Sequence, residues 1–155
     1  MSQTRAELIE EMIRDMTMPL NPLKYRRKKY VLNVEVDSAV DGTGSNQLSI
    51  DDNPFMWTKI TAAAKVSSKE DVTALETSQE FLMRIRDTNR YYDSDFHRPD
   101  LAYGNPKQGV VIPFDVPTFL DANATLTGDI INLVARAGDT WNAQIIIHGY
   151  ERWQR

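Results

Sequence analysis

The chain has 155 residues, no cysteine and a formal net charge of −4. That length suffices for one domain with a real core. The missing cysteines exclude disulfides, thiolate metal sites and cysteine nucleophiles, and the acidic balance argues against a surface that is a nucleic-acid footprint throughout, though it allows a local basic patch.

Residues 4–16 carry the one clear helical pattern. Thr4 and Glu7 form a T-x-x-E capping box, and Leu8, Ile9, Met12, Ile13 and Met16 repeat at helical spacing. Such a short helix is marginal alone, so its apolar stripe must lie either on its own domain or on another subunit. With Glu7, Glu10 and Glu11 inside it, this N-terminus does not read as a signal peptide. The longest apolar runs, such as residues 62–64 and 145–147, fall far short of the roughly 20 residues of a membrane span. Synthesis in the cytoplasm without membrane contact is the expectation.

Pro19 and Pro22 stop the helix and push the chain into an extended arm. The arm carries Lys24, Arg26, Arg27, Lys28 and Lys29, interleaved with Tyr25 and Tyr30. Such a run can bind phosphates, or it can be a solvated basic edge, or pair with an acidic neighbouring subunit. No nucleic-acid motif accompanies it, so nucleic acid is not the expected partner. The division drawn here is a helix and basic arm over residues 1–28 and a β-sandwich domain over 29–155.

Residues 29–36 (KYVLNVEV) alternate, with Tyr30, Leu32, Val34 and Val36 on an apolar face. Residues 41–46 (DGTGSN) read as a turn, since neither the lysine of a phosphate-binding loop nor a D-T-G triplet is present. Residues 47–50 are a short strand candidate. Residues 54–66 (PFMWTKITAAAKV) are a longer one with Phe55, Trp57 and Lys59 on one side, although the alanines of 61–66 also suit a helix. Residues 67–71 read as a polar loop, and 80–86 (EFLMRIR) as a strand with Phe81, Met83 and Ile85 inward.

Residues 87–108 are irregular but rich in aromatics. Loops of this length are functional or disordered, and Tyr91, Tyr92, Phe96 and Tyr103 mark an ordered contact surface. Asp93, Asp95, His97 and Asp100 have the atoms of a metal site, but loop aspartates cap backbones routinely, and no metal is expected. Asp121-x-Asn123-x-Thr125 fails as a calcium loop because Leu126 stands where that turn needs glycine.

The last third provides strand candidates at 109–114, 125–134 and 141–153, separated by turns. Along 141–153, Trp141, Ala143, Ile145 and Ile147 form one face, while Asn142, Gln144, Ile146, His148 and Tyr150 form the other. His148 reads as a polar sheet residue, since no partner pattern for a catalytic base accompanies it.

Several features in this region resemble a jelly-roll virion protein of tailed bacteriophages, of the capsid cement or decoration type. They are Ile112-Pro113-Phe114 leading to Phe119-Leu120, an acidic turn, a strand ending at Asn132, a Gly-Asp turn and a terminal strand closing on Ile147-His148-Gly149-Tyr150. The likeness covers about the last 45 residues, 110–155. It implies an all-β, antiparallel two-sheet jelly-roll-like sandwich, carrying here a short N-terminal helix and extended arm. It further implies a homo-oligomer without catalytic residues, cofactor or metal that binds capsid or other virion subunits, and is made in the host cytoplasm and located in the virion. The expected subunit contacts are Leu8, Ile9, Met12, Ile13, Met16, Arg26, Arg27, Lys28, Tyr91, Tyr92, Phe96 and Tyr103. The alternative is a carbohydrate-binding sandwich using Trp57, Trp141 and Trp153. A cupin-type enzyme would need clustered histidines, and this chain has two, His97 and His148, far apart.

Overall fold

The computed structural model describes residues 2–65, 80–87, 91–104, 109, 111–136 and 138–153. After helix α1 (Arg5–Met16) come strands β1 (Tyr25–Asp37), β2 (Thr43–Ser49), β3 (Phe55–Lys65) and β4 (Phe81–Asp87). A single helical turn, α2 (Pro99–Ala102), precedes β5 (Thr118–Leu120), β6 (Thr125–Asn132) and β7 (Thr140–Arg152). The strands form two antiparallel sheets, one in the order β1-β7-β3-β5 and one in the order β2-β6-β4.

The pairing is nested: β1 lies on β7, β2 on β6 and β3 on β5. A long antiparallel ribbon rolled over itself gives this order, which is that of a jelly roll. The innermost pair is rudimentary. Residues 91–97 touch β4 through two isolated antiparallel bridges, Arg86 with Tyr91 and Met83 with His97, in the place where an eighth strand would lie. The chain is thus an all-β two-sheet sandwich of jelly-roll type with a short N-terminal helix.

The core between the sheets follows from strand alternation. Tyr30, Leu32, Val34 and Val36 of β1 and Trp141, Ala143, Ile145 and Ile147 of β7 are buried against Phe81, Met83 and Ile85 of β4 and Leu126 and Ile130 of β6. Trp57 stands at one end of this core, its ring edge-to-face with Tyr92 (5.5 Å) and Phe114 (5.0 Å).

Several local expectations change. The 41–46 stretch is only half a turn, because residues from Thr43 onward pair with β6, and this long-range ladder overrides the glycine-rich composition. The alanine stretch is strand, not helix, since Ala62 and Ala64 fit under the core while β3 pairs with β7. Lys59 is not on the side of Phe55 and Trp57. Thr58 is an extra residue between the Trp57–Gly149 and Lys59–His148 pairs, and this bulge reverses the alternation, turning Lys59 outward and Ile60 inward. Described residues 111–114 form no strand; their backbone is held by Ile112 N–H donating to Tyr103 O and Phe114 N–H to Thr58 O. The polar loop expected at 67–71 lies outside the described residues.

Helix α1 packs on the outer face of the β1-β7-β3-β5 sheet, at the end where β1 starts. Its capping box forms: Glu7 N–H donates to Thr4 Oγ1 (3.2 Å), and Thr4 N–H to Glu7 Oε2 (2.8 Å). Met12 is fully buried between Tyr25 and Met56, with Leu8, Met16, Leu20 and Phe119 around it, a contact worth about 2 kcal/mol. Lys24 pairs with both Glu11 and Asp15, Tyr25 Oη donates to Asp15 (2.7 Å), and Arg152 reaches Glu11 (3.3 Å).

Candidate functional site

The basic run of the expected arm belongs mostly to β1, and alternation divides it. Even-numbered Arg26 and Lys28 turn to the sandwich side, where both meet Glu151, a fully buried carboxylate on β7; Lys28 also pairs with Asp51. Burying Glu151 is tolerable only because these cations reach it. Odd-numbered Arg27 and Lys29 point to the outer face. Among the described residues no ion pair reaches either of them, or Lys59.

The register makes a row of these groups. His148 on β7 is opposite Lys29 on β1 and Lys59 on β3, and in the next row Tyr150 is opposite Arg27 and Met56. Lys59 joins this row only because of the bulge at Thr58. Gly149 faces that bulge, where a Cβ would lie 2.0 Å from the Met56 carbonyl oxygen, so no larger residue fits without moving backbone. The outer positions of β7 carry Asn142, Gln144, Ile146, His148, Tyr150 and Arg152, and none is acidic. The nearest outward carboxylate along β1 is Glu35, about 20 Å from Lys29 at about 3.4 Å per residue. Two lysines about 10 Å apart across three strands repel by about 0.4 kcal/mol in water before screening. The row is therefore affordable but unfavourable while unoccupied.

Among these residues lies a cavity of about 230 Å³, lined by Arg27, Lys29, Thr58, Lys59, His148 and Tyr150, together with the intervening Lys28 and Gly149. It shares Arg27, Thr58, Lys59 and Tyr150 with a broader depression of about 620 Å³, whose far wall is Met16, Met18, Leu20 and Pro117. Met18 is 67% exposed on this ledge. His148 Nε2 lies 3.0 Å from Thr61 Oγ1. Partial burial, then the charges of Lys59 and Lys29, pushes its imidazole below the usual histidine range.

The opposite sheet presents a different outer face. Arg84 is stacked between Tyr91 and Phe96, its guanidinium carbon 4.5 and 4.4 Å from their ring centres. Arg86 Nε donates to Asp129 (2.9 Å), and Ser45 Oγ donates to the other carboxylate oxygen (2.7 Å). Burial alone would raise the Asp129 carboxyl, but the bonds from Arg86 and Ser45 outweigh it and hold it low. At the sheet edge, Asp93 accepts from Ile85 N–H (2.8 Å) and Tyr103 Oη (2.8 Å) and faces His97 Nε2 at 3.1 Å. His97 Nδ1 lies 3.1 Å from the Arg98 carbonyl, so only the imidazolium can donate on both sides. The bond to Asp93 accordingly raises His97 above the usual range.

The expected contact residues therefore do not form one surface. Leu8, Met12 and Met16 face the chain's own sheet, Ile9 is half-buried, and Ile13 is 41% exposed on the helix's outer side. Tyr92 and Tyr103 belong to the core or its margin, whereas Tyr91 and Phe96 lie over Arg84. Of the basic residues, Arg26 and Lys28 are neutralised and Arg27 is free of ion pairs. Lys59, His148 and Tyr150 were not picked out as contacts, because pairing across β1, β7 and β3 joins residues more than a hundred positions apart. Asp93, Asp95, His97 and Asp100 do not converge: Asp93 binds backbone, Tyr103 and His97, Asp95 caps Phe96 N–H, and Asp100 pairs with Arg98. No group of three or more potential metal ligands occurs among the described residues. Trp57 and Trp141 are core residues, and Trp153 is 43% exposed beside Arg26. No helix among the described residues is long and apolar enough to cross a membrane. No family model matches this sequence, and comparison with curated proteins and with solved structures finds no match.

Proposed function

We propose that this chain is a non-enzymatic structural protein of a bacteriophage virion, of the capsid cement or decoration type, which attaches to neighbouring virion subunits through a sheet face. The observation that carries this reading is the outer face of β1-β7-β3, where Arg27 and Lys29 are exposed, Lys59 is half-buried, and none of the three is in an ion pair among the described residues of a chain of net charge −4. Val31, in the following row, is 49% exposed beside Ile146. An adhesive surface needs this combination of apolar area and unspent charge. The nested strand order supports the jelly-roll resemblance of the last third, and copies of the same chain are further partners in this reading. The carbohydrate-binding alternative has less support: Trp57 and Trp141 are enclosed, and Arg84 occupies one face of both Tyr91 and Phe96.

The test is quantitative mass spectrometry of purified particles from the genome that encodes the chain. A copy number comparable to that of the shell subunits is the expected outcome. Absence from washed particles overturns the reading.

A further inference from the structure

We propose that the outer face of β1-β7-β3 binds an extended peptide segment of a partner polypeptide, one that presents carboxylates on alternate residues next to apolar side chains. Arg27 and Lys29 project from β1 two residues apart on the same face, a spacing of about 7 Å. Alternate side chains of an extended peptide repeat at that same spacing. Its carboxylates therefore fall in step with Arg27, which offers a planar fork, and with Lys29, which offers a point charge. Lys59 lies one further strand across the same row and closes the site from the far side, with His148 between.

The apolar wall selects among anions. Met16, Met18, Leu20 and Pro117 form the far wall of the depression that Arg27 and Lys59 also line, and methionine adapts its shape to varied apolar partners. A nucleic-acid strand would want a succession of stacking platforms, whereas among the described residues the rings lining these two depressions are Tyr150 and the imidazole of His148. A peptide with both acidic and apolar residues uses the cations and the ledge together. This identification rests on the reading above only for its partner, a virion subunit; the chemistry of the face is independent of it.

The experiment uses the isotope-labelled full chain and an acetylated, amidated peptide of sequence Gly-Leu-Ser-Glu-Ser-Glu-Ser-Leu-Gly, whose leucines and glutamates share one face when extended, followed by amide chemical-shift mapping and titration. Saturable shifts are expected at Arg27, Lys29, Lys59, His148, Tyr150 and Met18, diminishing as salt is added. The K29E/K59E double variant should bind about ten-fold more weakly, the factor expected for reversing two exposed charges. K59Q provides a milder variant should the double reversal disturb the fold, which its amide spectrum reports. The peptide with glutamine in place of both glutamates should not bind. Shifts confined to the Arg84–Tyr91 face, no saturation, or an equal response to the glutamine peptide overturn the proposal. So does tighter binding of oligothymidylate at the same residues, which would make the face a nucleic-acid groove. Peptide binding by a chain absent from particles would sink the virion reading alone. A chain abundant in particles that ignores the peptide would sink this inference alone.

Discussion

The two sheets of this sandwich carry similar cations on their outer faces and treat them in opposite ways. On β4 and β6, Arg84 is stacked by two rings and Arg86 is bonded to Asp129, which Ser45 also holds. On β1, β7 and β3, Arg27, Lys29 and Lys59 are in no ion pair among the described residues. A face whose charges are satisfied internally contributes to its own stability and has little left to give a partner. A face whose charges are unsatisfied accepts a small cost until something binds. The proposed binding face is the less stable arrangement, in keeping with the tendency of functional sites to break local rules.

Breaking the geometry beneath the open face should have the largest effect. Gly149→Ala places a methyl against the Met56 carbonyl and the Phe55 ring, and should cost about 3 kcal/mol in urea unfolding, the upper end for overpacking. The Thr58 bulge should be lost or displaced with it, taking Lys59 out of the row. A variant within about 0.5 kcal/mol of the parent, the usual range for surface changes, would show that the bulge does not depend on the missing side chain.

Next comes the edge that completes the closed face. Asp93→Ala leaves the Ile85 N–H and the Tyr103 hydroxyl without their acceptor, and should cost about 2 kcal/mol, the typical penalty for stranded buried donors. Peptide binding on the other sheet should be unaffected. If binding falls as well, the two faces are coupled through the core and the contrast drawn here is too sharp.

Removing the surface groups should then reverse the sign between faces. The Y91A/F96A variant strips both rings from Arg84 and should lose about 1 kcal/mol. K29Q/K59Q should instead gain a few tenths, roughly the repulsion between like charges across a sheet. Added salt should stabilise the parent more than K29Q/K59Q, because screening weakens the same ion pairs in both and relieves the lysine repulsion present in the parent alone. A lysine variant that is clearly less stable than the parent would mean that these cations already have partners.

Part of this was legible in the sequence. Alternation alone separates Tyr30, Leu32, Val34 and Val36 from their outward neighbours, and the same rule applied to residues 26–29 divides the basic run into inward and outward pairs. What no local pattern contains is the partner of each half. Glu151 neutralises Arg26 from 125 residues away, and His148 meets Lys29 only through the β1–β7 register. The bulge at Thr58 is hidden for a similar reason: T-K-I within a strand looks regular, and only the pairing with Gly149 reveals the extra residue. Strand β2 was obscured because its first residues have turn chemistry, and β5 because Pro117 stands directly before its three residues.

The smallest effect separates the faces most cleanly, because each side has one of the chain's two histidines. His97 gains the carboxylate of Asp93, so its folded pKa lies above the ordinary 6.5. The stability it contributes is present below the unfolded value and lost as pH rises through the folded one. Asp93 itself is held below the ordinary 3.8: burial opposes this, but the bonds from His97, Ile85 and Tyr103 outweigh it. Its share is present above the unfolded value and lost as pH falls through the folded one, so the pair is intact between those two limits. His148 has the opposite sign. Partial burial, then Lys59 and Lys29, keeps its folded pKa below 6.5, so the unfolded chain binds that proton better and stability falls as pH drops through this range. Imidazole proton resonances should therefore titrate on either side of 6.5. K29Q/K59Q should move His148 upward and leave His97 in place, and a bound carboxylate peptide should do the same by supplying the negative charge that this face lacks. Two histidines titrating together near 6.5 would mean that neither face imposes its charge on its imidazole, and the distinction between a satisfied and an open surface would lose its electrostatic basis.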